Sequence, residues 1–295
     1  MNLDRQRLAI IGGLVVLLVV IAASATMSSN QGIFPVKMNG KFGFIDHKGK
    51  LKLQPQFDNA GEFKDGRAPV QMGAAWGFID RSGKLVVNPQ FETADPFSDG
   101  FALVAMNHKF GYIGEDGKIA INPQFEGAGA FNDGKAPVMV NGKWGYIDKS
   151  GKWVINPQFD EAGMFSDNMA LIRIGAKFGF IDRSGRITIN PQFDAAGNFN
   201  DGLALVRVNG RFGYIDRNGK MAIAPQFDQA GDFNDGLAVV ASQNRFGYID
   251  RKGRFAINPQ FDQAGDFESG LAPVWIGDRQ GYINKDGRYV WNPTA

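Results

Sequence analysis

Cysteine is absent from the chain, which excludes thiol nucleophiles, iron-sulfur clusters, cysteine zinc sites and disulfides in any compartment. Histidine is nearly absent too. Only His47 and His108 occur, leaving little for histidine-based metal binding or acid/base chemistry. Charge of one sign is also missing, with 32 Lys+Arg against 30 Asp+Glu over 295 residues, so the chain lacks the basic footprint of a nucleic-acid binder. After position 25 there is no long apolar run, and no segment free of glycine or proline is long enough for paired helices. Glycine and phenylalanine are abundant instead, at 39 and 25 copies, and a reading of the chain has to explain both.

The one long apolar stretch lies at the start. Arg5 and Arg7, against Asp4, precede residues 8–25, LAIIGGLVVLLVVIAASA, which carry no charge. That length is near the ~20 residues needed to cross the hydrocarbon core. Residues 1–31 therefore read as an apolar helix that anchors the chain in the membrane, with a short linker. The arginines stay on the cytoplasmic side and the rest lies outside the cytoplasm. Ala23-Ser24-Ala25 is also a small-x-small cleavage sequence, and removal of the segment there would release the rest as a secreted protein. Lipid attachment at a cysteine is excluded.

From residue 32 to 295 the sequence repeats every 34 residues. A large residue followed by glycine recurs as Phe42-Gly43, Trp76-Gly77, Phe110-Gly111, Trp144-Gly145, Phe178-Gly179, Phe212-Gly213 and Phe246-Gly247, with Gln280-Gly281 as a divergent eighth copy. Pro-Gln-Phe recurs with the same step from Pro55 to Pro259. Cutting at the opening glycine, replaced by Asn168 in one copy, gives units starting at 32, 66, 100, 134, 168, 202, 236 and 270. Tetratricopeptide repeats share this period, but the glycines and prolines rule out their paired helices. Each unit reads as β-hairpins. In the unit starting at 202, residues 203–208 form a strand, Asn209-Gly210 a type I′ turn, 211–216 a second strand, Asp216-Arg217-Asn218-Gly219 another turn, and 220–223 a third strand closed by Pro225. Residues 227–233, FDQAGDF, are a fourth edge strand or a connector. The strand glycine is expected to be a groove filled by an aromatic of a neighbouring strand or unit, and the columns of Phe57 and Phe63 to rivet successive units together.

The pattern of aromatic-glycine-aromatic-Ile-Asp, turn Gly followed by Lys or Arg, Pro-Gln-Phe-Asp and Phe-x-Asp-Gly resembles the WG repeat family of bacterial proteins, named for the pair seen here as Trp76-Gly77 and Trp144-Gly145. The resemblance covers residues 32–295. It implies an all-β repeat array with an interaction role and carries no catalytic motif. Regular first and last units favour a β-propeller-like ring of eight tandem repeats over an open β-solenoid.

No residue stands out as catalytic, cofactor-binding or metal-ligating. His47 and His108 fall in hairpin turns. The acidic columns Asp46/Asp80/Asp148/Asp182 and Asp65/Asp99/Asp133/Asp201 match no calcium-loop spacing, and Asx turns explain the first of them. Function is sought where the copies differ. The third strand carries Trp153, Phe255, Tyr289 and Trp291 where other units have aliphatic or small residues, and these are the candidate contacts for a partner. The resulting expectation is a non-catalytic scaffold without a cofactor. It recognises a protein partner at the cell envelope, touches the membrane through its N-terminal segment, and does not bind nucleic acid. The alternative is a glycan or peptidoglycan binder that uses the same aromatics.

Overall fold

The computed structural model describes residues 32–294. The N-terminal apolar segment read above as an anchor or signal lies outside the described residues. Among those described there is no helix, and none long and apolar enough to cross a membrane. Thirty-one strands form eight antiparallel sheets, the first three-stranded and the others four-stranded. Sheet 1 spans 33–57, sheet 2 59–91, sheet 3 93–125, sheet 4 127–159, sheet 5 161–193, sheet 6 195–227, sheet 7 229–261 and sheet 8 263–294.

Sheet 4 shows how the sequence builds one layer. The strands Lys135–Val140 and Lys143–Asp148 pair through the Asn141-Gly142 turn, where both residues have positive φ (51° and 69°) as a type I′ turn requires. Asp148 then caps the next turn: its carboxylate accepts the backbone N–H groups of Ser150 and Lys152 at 2.9 and 3.1 Å, in the Asx arrangement expected for this column. The third strand, Trp153–Phe159, pairs back through two register shifts. A short strand, Gly127–Ala128, occupies the other edge of the sheet. In sheets 5 and 6 the corresponding strands, Glu161–Ser166 and Ala195–Asn200, run to six residues. The segment read as edge strand or connector is thus both: 227–233 holds the two-residue strand Gln229–Ala230 followed by an irregular connector. The strand belongs to the sheet formed with the following hairpin, so each sheet is offset from the sequence unit cut at its glycine.

The strand glycine has a different cause from the one expected. A Cβ on Gly145 would lie 2.5 Å from the Ile155 carbonyl oxygen and 2.7 Å from the Pro157 nitrogen, and the other copies are alike. What fills the space over it is the bulged backbone of the adjacent strand, not an aromatic ring. The bulge makes two backbones approach too closely for any side chain.

The aromatics pack between sheets instead. Seven hydrophobic clusters each join one sheet to the next. The sheet 5 to sheet 6 junction is typical, placing Phe180, Ile189 and Phe193 against Phe199, Ala204, Val206 and Ile215. A ring from the column of Phe63 meets the Phe or Tyr after the strand glycine at every junction, with centroids 4.7–5.3 Å apart. The Phe57 and Phe63 columns do rivet successive layers. Where that partner is tyrosine, the hydroxyl of Tyr112, Tyr146, Tyr214 or Tyr248 donates to a glycine carbonyl of the next sheet at 2.7–2.8 Å. Among the described residues no hydrophobic cluster joins sheet 8 to sheet 1.

Candidate recognition surface

Three of the four candidate aromatics share one position. Trp153, Phe255 and Tyr289 open the third strand of sheets 4, 7 and 8, directly after the turn glycine and its basic residue. Each is half-exposed and leans edge-on against the Pro-Gln-Phe ring of the preceding sheet: Trp153 on Phe125, Phe255 on Phe227 and Tyr289 on Phe261, at 6.2–6.4 Å. Ile119, Ile187 and Met221 hold the same position in sheets 3, 5 and 6 and are equally exposed. The position is therefore an apolar ridge with one member per sheet, enlarged to aromatics at three places. Phe255 and Tyr289 sit in adjacent sheets, whereas Trp153 lies three sheets from Phe255.

Trp291 belongs elsewhere. Two residues beyond Tyr289, it occupies the column held by Val87, Ile121, Ile155, Ile189, Ile223 and Ile257, which face the next sheet and are buried. Among the described residues no sheet packs on this face of sheet 8, and Trp291 is exposed there rather than as part of the ridge.

Two features were not foreseen from the sequence. The first is a ladder of ion pairs between consecutive sheets, each spanning fifty residues: Lys149 to Asp99 at 2.6 Å, Arg183 to Asp133, and Arg217 to Asp167 at 2.9 Å, with Arg251 and Lys285 reaching the backbone carbonyls of Asp201 and Asp235. The same carboxylates accept backbone N–H groups, as Asp99 does from Gly134 at 2.6 Å. A shallow polar groove lies along this ladder, lined by Asp167, Asp201, Asp216, Arg217 and Arg251; the Asp167 carboxylate pairs with Arg217, Arg251 meets the Asp201 backbone carbonyl, and the Asp216 carboxylate caps the backbone N–H groups of its turn. The signal in the sequence was the Lys/Arg column at Lys149, Arg183, Arg217, Arg251 and Lys285, but its partners lie in a different unit.

The second is a row that turns acidic toward the C-terminal sheets. Its members are Glu62, Pro96, Ala130, Met164, Asn198, Asp232 and Asp266, each next to the junction phenylalanine. In the C-terminal half the glycine before these positions makes room for the next member: a Cβ on Gly197 would lie 2.8 Å from Asp232 Oδ1, and one on Gly231 2.9 Å from Asp266 Oδ1. Asp232 and Asp266 are half-buried. Burial, and then the charge of Asp266, push the Asp232 carboxyl up to about 6, and burial raises Asp266 as well. Burial likewise raises the tyrosines Tyr214 and Tyr248 beside them. Among the described residues no three acidic or histidine side chains gather in a way that would hold a metal ion. His108 sits in a left-handed turn conformation (φ 57°) with its side chain in solvent, 3.5 Å from Glu92, and His47 is exposed in its turn.

Comparison with known proteins agrees with the repeat geometry. The family model of the WG-containing repeat matches seven times, at residues 42–74, 76–109, 110–144, 144–178, 178–212, 212–244 and 246–278. None of the curated proteins compared with the chain matches it. Among solved structures, a eukaryotic initiation factor is similar with a TM-score of 0.62 at 10% identity, covering 90% of this chain and 85% of that one. The dihydro-heme d1 dehydrogenase NirN is similar with a TM-score of 0.51 at 13% identity, covering 94% and 77%. At such identities the likeness is one of fold, a β-propeller-like succession of sheets. With seven matches spread over most of its length, the chain belongs to the WG-containing repeat family.

Proposed function

We propose that the protein is a non-catalytic β-repeat scaffold that recognises a protein partner through the ridge carrying Trp153, Phe255 and Tyr289. The observation that carries this reading is the ridge itself. The other conserved-in-register aromatics, the glycines and the ladder charges are occupied in holding the sheets together, whereas the ridge keeps one apolar side chain per sheet in contact with water. Rows of half-exposed apolar groups with aromatic anchors suit protein contacts, in which a few large side chains carry most of the binding energy. The outer strand bearing the ridge also contains proline, which removes a backbone donor, so recognition there proceeds through side chains rather than by adding a strand.

The location we propose is the outer side of the cytoplasmic membrane, at the cell envelope. It is supported by the apolar run at 8–25 and the arginines before it. Capture from envelope extracts, run beside a glycan array, tests the reading. Wild-type protein is expected to retain a protein partner that a Trp153→Ala/Phe255→Ala/Tyr289→Ala variant loses while keeping its melting profile. Saturable glycan binding that the same substitutions abolish would replace the scaffold with a sugar-binding module.

A further inference from the structure

Among the described residues, the outer faces of sheets 8 and 1 are the two halves of the junction that recurs seven times between them. Each internal junction is built from one fixed set of positions. The earlier sheet offers the Phe or Tyr after the strand glycine and the aliphatic residue of its third strand. The later sheet offers an alanine, a valine or isoleucine, and an isoleucine. At internal junctions these residues lose nearly all contact with water: the column of Tyr112, Tyr146, Tyr214 and Tyr248 is 0% exposed, and that of Ile121 to Ile257 is 3–5% exposed.

Sheet 8 presents the first half, and no other described sheet packs over it. Tyr282 is 40% exposed and Trp291 61%. The hydroxyl of Tyr282, whose counterparts donate to a carbonyl of the next sheet, is instead met by the Gln280 side-chain amide at 3.3 Å. Sheet 1 presents the second half. Phe34 stands in the alanine column and is 42% exposed, while Val36 and Ile45, whose counterparts are fully buried, are half-buried.

We infer that these faces are the two sides of a head-to-tail contact between copies of this chain, in which sheet 8 of one copy packs on sheet 1 of the next as each sheet packs on its neighbour within the chain. The sequence of the two faces fits this use. A solvated cap would replace the junction residues with polar ones. Here both ends enlarge them instead, to Trp291 in place of isoleucine and Phe34 in place of alanine. The ladder supplies the second clue. Ser269 stands where sheets 3 to 7 have the ladder aspartate, and His47 where sheets 4 to 8 have lysine or arginine. The contact between copies therefore lacks the ladder contact of the later internal junctions, as the sheet 2 to sheet 3 junction does with Asp65 and Glu115 in those places, and it rests on apolar burial, which makes it a reversible joint. Because the two faces differ, the contact is heterologous, and it propagates from copy to copy unless it closes into a ring of chains.

Two substitutions, each on a surface already exposed, test this in the full chain held in detergent. Trp291→Arg spoils only the sheet 8 face and Phe34→Arg only the sheet 1 face. Mass measured by light scattering across roughly a hundredfold dilution series should show reversible oligomers for the wild type and monomers for either variant alone. Mixing the two variants should restore one joint, because each supplies the half the other lacks, and should yield a heterodimer and nothing larger. Unchanged circular dichroism shows that the variants are folded. A wild-type chain that stays monomeric throughout, or whose sheets 1 and 8 meet within one molecule, overturns the inference. So does association that persists in both single variants, since it would then run through another surface such as the apolar segment.

Discussion

Replacing Phe199 by alanine is expected to split the array in two. The ring is 1% exposed, lies 4.8 Å from Phe180 in a T-shaped arrangement, and joins the cluster that holds sheet 5 to sheet 6. Truncating a fully buried phenylalanine costs about 3–5 kcal/mol, combining the lost transfer energy with the cavity left behind. Here the loss falls wholly on a coupling between neighbouring sheets. Where sheets touch only their neighbours, stability is a sum of terms for single repeats and for nearest-neighbour contacts, so sheets 1–5 and 6–8 should begin to unfold separately. Tryptophan fluorescence can follow both parts, since Trp76, Trp144 and Trp153 lie before the joint and Trp275 and Trp291 after it. With a urea m-value of roughly 3 kcal/mol/M, the weaker part should shift its midpoint down by about 1 M or more, and one transition should become two. Phe255→Ala is the control, a half-exposed ridge ring that no inter-sheet cluster needs, expected to cost roughly 1 kcal/mol or less. A single transition at an unchanged midpoint in Phe199→Ala would refute the claim that these phenylalanines hold the layers together.

Two further perturbations probe other parts of the account. Gly145→Ala places a methyl group 2.5–2.8 Å from three backbone atoms of the adjacent bulge and should cost roughly 2 kcal/mol or more. Gly210→Ala meets nothing within 4 Å and suffers only its positive φ of 80°, a cost of about 1–2 kcal/mol; equal melting temperatures for wild type and Gly145→Ala would show that the bulge is not tight. Asp232→Asn should stabilise the protein at neutral pH. The carboxyl is raised from 3.8 to about 6, so the folded state holds its proton more tightly than the unfolded chain. The contribution of this carboxyl to stability is therefore greatest below about pH 4 and falls as pH rises through 6. The full shift corresponds to about 3 kcal/mol, and solvent contact at this half-buried site reduces that to roughly 1–2 kcal/mol. Thermal melts at several pH values check it: relative to the wild type, the amide variant should gain stability as pH rises from about 4 to 6, whereas a less stable variant at neutral pH would mean that the carboxylate is held by a cation.

Much of the fold can be read from the sequence because the information is local. Asn141-Gly142 specifies its turn, Asp148 its Asx cap, and the breakers exclude helices without reference to anything distant. What lies between units is harder to read. The ladder joins residues fifty positions apart, so a survey of single units sees two unrelated charged columns. The strand glycine looks like a groove for a ring until the bulge at residues 153–159 shows that backbone fills it. The acidic row became visible only when Gly197 and Gly231 proved to be clearing space for Asp232 and Asp266. The candidate site was half legible. Composition differences picked out Trp153, Phe255 and Tyr289, which share the ridge, but counting by 34 from Ile257 would already have placed Trp291 in the junction column.

The central claim is that the ridge is the face a partner sees. Photo-crosslinking in intact cells tests it most directly, with a photoreactive phenylalanine in place of Trp153 and, as a control, in place of the exposed Lys109, which starts the strand whose far end, at Ile113, pairs with the ridge residue Ile119. The account predicts a discrete protein adduct from position 153 and none from 109. Equal labelling from both positions, or none from 153 while the protein remains folded and abundant, would contradict it.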